Sequence, residues 1–534
     1  MPELSESTQK LIQKYQTWYQ SLGKKEGVST IQVDEIASKV ASFYEKMRGI
    51  IDWRDEHLFR KGAIERVLKR RVFFLEKEEK IAQPLILELI RGGHYPNDKI
   101  EESKIEEVQK IIDKYLYLSK NSPPPPKEKL KIRLFNWILE IASSEIEETL
   151  SSPSKEMALM DYMTEVMKRR IKVKEGVLVI GGLSQEEKNK QIFIAVQKAL
   201  FNLDESSISY NLLKKRYPNW KNLSAQELSQ ISQNIYSIRK EIEKDLNHRL
   251  ASKFYKVCEK YDTAYFILGD ILAEDPMGIK EKVFKPEILE GKIKEFYQKR
   301  AKNIKTRLSR AAFFATLSIF ISNVLSLFLI EFPLAKLVWG EFTFLGIAVN
   351  VLGPTFLMYF LIATIKLPKK ENIDMAVMET MKIVYQNKNE DIYELRIYPP
   401  RGAITKALIT LFYLTGFGLV CWLISWLLFK IHLPVTSHFV FIVFICLISF
   451  AGMKIRRRVK ELEIIEEKEG VFYFLVDLFA IPVAQLGKWL TSRWKKINII
   501  SNFFNYLIDY PFQTFTEFLE QWRCFLKEKK DEIY

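Results

Sequence analysis

The sequence predicts a predominantly all-α fold: a polytopic helical membrane protein with a large helical N-terminal region and an amphipathic C-terminal tail. Three observations carry this. First, residues 311–330, 342–365, 407–429 and 433–453 are uncharged apolar runs of 20, 24, 23 and 21 residues. A bilayer core of about 30 Å needs about 20 apolar residues at helical rise, so each run is long enough to cross. Buried helices of soluble proteins keep polar residues on one face, whereas these runs are apolar all round. Second, apolar residues before residue 310 recur at steps of three and four, the spacing of amphipathic helices. Third, basic residues flank the apolar runs mainly on one side.

The runs pair into two transmembrane hairpins, 311–365 and 407–453, because the intervening turns near Pro333 and Pro434 are too short for domains. Residues 291–310 carry eight basic residues, Lys292 to Arg310, against one acid, Glu295. The loop 366–406 adds Lys366, Lys369, Lys370, Arg401 and Lys406, and Lys454, Arg456, Arg457, Arg458 and Lys460 follow the fourth run. The two opposite turns hold only Lys336 and Lys430. Basic residues stay on the cytoplasmic side. Both termini are therefore expected in the cytoplasm, with the chain integral to the plasma (inner) membrane.

At 534 residues the chain has room for several domains. Its mean hydropathy of −0.09 averages a very apolar quarter with a polar remainder. The net charge of +15 lies largely beside the apolar runs, where it sets topology and attracts anionic headgroups. It is not read as a nucleic-acid surface. Cys258, Cys421, Cys446 and Cys524 form no close pair, which excludes a disulfide framework or zinc motif. The polar N-terminus lacks a signal peptide's apolar core, so the first run is the expected insertion signal.

In chain order, residues 1–120 read as a cytoplasmic helical subdomain, with Ile36, Val40, Phe43, Met47 and Ile50 on one helical face. Residues 121–126, with four prolines, read as a linker of extended polyproline type. Residues 127–310 read as a second helical subdomain. There, Ser184 with Glu187 and Ser224 with Glu227 have the spacing of capping boxes. Residues 173–180 suggest one short strand, and residues 391–398, in the loop 366–406, suggest a possible partner.

The tail, 454–534, is expected to be cytoplasmic or interfacial. Residues 471–490 are apolar but interrupted by Asp477, Pro482, Gln485, Gly487 and Lys488, and are not expected to span. Ile508, Pro511, Phe512, Phe515, Phe518, Leu519, Trp522, Phe525 and Leu526 then mark one face of a helix. Together with Trp489, Arg493 and Trp494, the residues Phe515, Phe518 and Trp522 form a candidate membrane-interface set. Packing of that face on the protein's own helices is the alternative, because acidic residues on the opposite face weaken attraction to anionic lipid.

Catalytic, cofactor and metal sites are not legible. The glycine pairs at 92–93 and 181–182 lack the spacing and lysine of a phosphate loop. Asp245 with His248 has helical ligand spacing without a second carboxylate–histidine motif, and reads as a solvated helix end. Asp52, Asp55, Glu56 and His57 are interleaved with Arg54 and Arg60, as on a salt-bridged surface. His432 and His438 read as loop residues. Within the runs, Asn323 and Asn350 are the strongest polar groups and are expected to make interhelical contacts. The absence of intramembrane acids argues against ion coupling. The expected function is a non-enzymatic membrane scaffold or adaptor, binding lipid, a protein partner or another copy of itself. A channel or transporter subunit with an oligomeric pore is the alternative, and an interfacial enzyme a third reading.

Overall fold

The computed structural model describes residues 3–23, 27–34, 39–40, 56–74, 80–174, 183–278, 285–331, 333, 344–365, 371–385, 391–396, 402–431, 433, 435–460, 471–496 and 510–533. In order, these form α1 (Glu6–Ser21), α2 (Glu56–Phe74), α3 (Ala82–Arg91), α4 (Ser103–Lys120), α5 (Glu128–Ser151) and α6 (Ser154–Arg170). Strand β1 (Ile171–Lys174), α7 (Gln185–Phe201), α8 (Glu205–Arg216), a 3-10 turn (Trp220–Asn222), α9 (Ala225–Leu246) and α10 (Ala251–Glu274) follow. The rest are α11 (Pro286–Ser326), α12 (Phe344–Ala363), α13 (Glu371–Val384), β2 (Tyr393–Arg396), α14 (Ala403–Lys430), α15 (Val435–Lys460), α16 (Val471–Lys496) and α17 (Tyr510–Ile533). The chain is predominantly helical, and it divides into two compact units.

The amphipathic unit comprises Glu6–Ile171, Leu183–Glu259 and Ile499–Tyr534. Its helices form because their apolar positions repeat with the helical period. In α9, Ile231, Ile235, Ile238, Ile242 and Leu246 are all buried, at steps of four, three, four and four. Both expected capping boxes are present: Ser184 and Ser224 accept from the backbone N–H of Glu187 and Glu227, whose carboxylates accept in return. One core of buried residues runs from Ile31 to Leu246 and draws on both sides of the proline run 123–126. Helix α5 lies at its centre, packed on α2, α4 and α8, while α6 packs on α1 and α7.

The apolar unit comprises Met1–Ser5, Lys172–Gly182 and Lys260–Asn498. Helix α11 runs 41 residues without interruption, from a basic half into the first apolar run, and ends in a π-turn at Leu327–Glu331. It packs on α12 and α13, and α12 packs on α15. Met358, Ile362, Ile448 and Ile455 are buried where these helices meet. The expected strand pair forms as a two-stranded sheet of β1 and β2, with β1 beginning at Ile171, earlier than predicted. Tyr393 of β2 stacks on Tyr261, with ring centroids 4.1 Å apart.

Among the described residues three helices, and not the expected four, are long and apolar enough to cross a membrane: Pro286–Leu329, Ala403–Lys430 and Ser437–Arg456. The second run gives the helix Phe344–Ala363, whose described apolar stretch is Ala348–Ala363. Helix α16 is continuous through Pro482 and packs along α14 and α15. Its contact is close: a Cβ on Gly487 would overlap the backbone carbonyl of Cys446. Most of the predicted helical face at 36–50 and of the first hairpin's turn, and His432 and Pro434 of the second, lie outside the described residues.

Candidate interaction surface

Among the described residues a dense group of titratable side chains lies on α5, and its geometry is structural. Glu145 is buried and accepts from Lys114 Nζ at 2.7 and 2.9 Å, Tyr115 Oη at 2.7 Å and Trp220 Nε1 at 3.1 Å. Lys114 also donates to the Trp220 carbonyl at 3.0 Å. Burial pushes the Lys114 ammonium below its ordinary value, with Glu145 opposing, and pushes the Tyr115 phenol well up. Glu148 holds Lys214 and Lys221; burial alone would raise its carboxyl, but the two ammonium groups bring it below the ordinary 4.5. Glu147 pairs with Arg60 at 3.4 Å, and its carboxyl is raised, chiefly by burial. Successive carboxylates of one helix thus fasten α2, α4, α8 and the 3-10 turn to it. A buried charge without its partner is costly, so this set specifies packing.

Metal chemistry finds no footing among the described residues, where no group of three or more His, Cys, Asp and Glu side chains could hold an ion. Asp245 is paired with Lys190 at 3.1 Å, and His248 Nδ1 accepts from the Leu250 backbone at 3.3 Å. His438 is buried, while His432, Asp52 and Asp55 and the side chains of Glu56 and His57 lie outside the described residues. Asn323 and Asn350 are both buried. Asn323 Nδ2 donates to the carbonyl of Val351 across α11 and α12, at 3.4 Å.

The tail helix α17 has two faces with different environments. Arg523 Nη1 lies 2.9 Å from Asp34 Oδ1, and Lys527 Nζ lies 3.9 Å from Asp34 Oδ2. Glu520 pairs with Arg91 and accepts from the Asp34 backbone N–H at 3.3 Å. Residues 520, 523 and 527 recur at steps of three and four, so they share one side of the helix. Phe515, Phe518, Trp522, Phe525 and Leu526 are each about half exposed, at 50, 55, 49, 47 and 48%. At about 100° per residue, their mean direction lies roughly 140° from the ion-paired side. Phe518 stacks on Trp522 at 6.2 Å, and Trp522 meets Phe525 at 6.1 Å.

Of the predicted interface set, Phe515, Phe518 and Trp522 are therefore gathered on one outward face of α17. Trp489 is exposed on α16, a different unit. Arg493 and Trp494 belong to the same helix, but their side chains lie outside the described residues. Asp34 and Arg91, which receive the tail, carry no sequence signal that separates them from other surface charges. Comparison with family models, curated proteins and solved structures finds no match.

Proposed function

We propose that this chain is a membrane-anchored helical adaptor, with the apolar helices as anchor and the amphipathic unit as the part offered to partners. The observation that carries the reading is the return of the tail. After the apolar helices, α17 comes back to the unit that precedes them and is ion-paired to Asp34 and Arg91. The anchor is thus an insertion within one helical unit. Residues joined by direct ion pairs share one side of any bilayer, so the stretch between residues 259 and 510 crosses an even number of times. Helices α11, α14 and α15 supply three crossings on length, and α12 supplies the fourth.

The amide of Asn323 is engaged with a neighbouring helix's carbonyl, which favours packing over a pore-lining role. Cross-linking from surface lysines such as Lys127, Lys129 and Lys131 in native membranes tests the reading. An adaptor gives a discrete adduct with another protein or a second copy. Ion flux from the purified chain in liposomes, lost when Asn323 and Asn350 become leucine, would replace the adaptor with a channel.

A further inference from the structure

We propose that the aromatic face of α17 lies in the headgroup layer of a bilayer, so that this one helix bonds the amphipathic unit by one side and lipid by the other. The inference rests on the membrane-anchored reading and adds a second, interfacial attachment to it.

The geometry decides between the two uses of this face that sequence leaves open. Internal packing would bury the aromatics, yet Phe515, Phe518, Trp522, Phe525 and Leu526 form a contiguous outward strip while the charged side of the helix is the docked one. Apolar strips of this kind on a protein surface mark contact with another protein or with membrane. Three features favour lipid. Of the acids that would weaken attraction to anionic headgroups, Glu520 is turned away and neutralised by Arg91, and Glu532 is paired with Lys529. A lysine stands at the end of the strip: Lys529 sits over the Phe525 ring at 5.9 Å and pairs with Glu532. Phenylalanine and tryptophan above lysines are the composition of helices that lie in the interface plane.

Chain length supplies the third argument. Only residues 497–509 separate α17 from α16, which packs on two apolar helices. At about 3.3–3.6 Å per residue that stretch reaches no further than about 45 Å. The strip is therefore held near a membrane surface at high effective concentration, and modest apolar area suffices to seat it. The ion pairs fix the roll of the helix, so the strip faces outward before it meets lipid.

The full chain in nanodiscs of mixed phosphatidylcholine and phosphatidylglycerol tests this, in a Cys421→Ala, Cys524→Ser background. An environment-sensitive fluorophore is placed singly at Phe518→Cys, Trp522→Cys, Phe412→Cys on α14 and Lys129→Cys on α5. Brominated lipid should quench the labels at 518, 522 and 412, and leave 129 unchanged. Quenching at 412 without quenching at 518 and 522 overturns the lipid contact alone. Disulfide-linked dimers of Trp522→Cys in that case would assign the strip to a second copy. Failure to quench at 412 would overturn the membrane reading itself. Charge reversal by Asp34→Arg supplies a second readout: hydrogen exchange in residues 510–533 should rise while quenching at 518 persists. Loss of quenching there would mean that docking alone, with no lipid affinity, positions the helix.

Discussion

Helices α9 and α14 use the same kinds of apolar residue in opposite ways. In α9 the isoleucines at 231, 235, 238 and 242 are buried and the intervening positions are polar. In α14, Leu408, Leu411, Phe412, Leu414, Trp422 and Phe429 are all exposed, and the helix has almost no polar side. The first pattern stores stability in contacts between helices. The second leaves its apolar surface to be covered from outside, as hydrocarbon would cover it. Exposure therefore means different things in the two units, and matched substitutions should separate them.

The largest expected effect is in the amphipathic unit. Glu145→Leu leaves the Lys114 ammonium buried opposite no carboxylate, and should cost about 3–5 kcal/mol in chemical unfolding. Next come paired leucines. Leu85 is fully buried, and Leu85→Ala should cost about 2–5 kcal/mol. Leu411→Ala should leave the thermal transition nearly unchanged, because Leu411 is 59% exposed. The order inverts for charge. Leu411→Lys should disfavour insertion by about 2.5–3.5 kcal/mol, whereas Ile132→Lys, at a site 57% exposed in the amphipathic unit, should stay within about 0.5 kcal/mol. A harmless Leu411→Lys in an insertion assay would erase the distinction between the units.

A smaller effect belongs to a close backbone approach in the apolar unit. Gly487→Ala must push α16 away from the Cys446 carbonyl, at about 1–3 kcal/mol for a forced repacking. Double-cysteine cross-linking between α15 and α16 should weaken accordingly. The smallest effect is visible only in acid. Glu148 has a lowered folded pKa, so it stabilises the fold above the ordinary value of 4.5 and loses that contribution as pH falls through the folded value. Lys214→Met removes part of the lowering, and the acid unfolding midpoint should move to higher pH. An unmoved midpoint would mean that Lys221 alone holds the carboxylate.

Periodicity made most of the fold legible. The isoleucines of α9, the two serine–glutamate caps and the apolar runs were each readable from spacing, because each is a local consequence of helical geometry. The pairing of β1 with β2 was readable because a lone strand needs a partner. Span length was less legible: an uncharged run sets an upper bound, and α12 ends at Ala363, short of its run's end at Ile365. The continuity of α16 was hidden by Pro482 and Gly487, which read as breakers. Proline is tolerated in helices packed on neighbours, and Gly487 is a site of close approach. The aromatic face of α17 was legible as a stripe, but the receptors of its charged side were not. Asp34 and Arg91 are remote from the tail in sequence and belong to no motif.

The central claim is that the apolar helices form an insertion within one helical unit, so that both ends of that unit lie on one side of the membrane. Impermeant thiol labelling of intact cells tests it most directly, using native Cys524, exposed on α17, and, separately, Lys129→Cys in a Cys524→Ser background, both without Cys421. The account predicts that neither thiol reacts until the cells are opened, whereas Val338→Cys reacts at once. Reaction of one of the two thiols in intact cells and of the other only after opening would place the tail and α5 across the membrane from each other, and contradict the account.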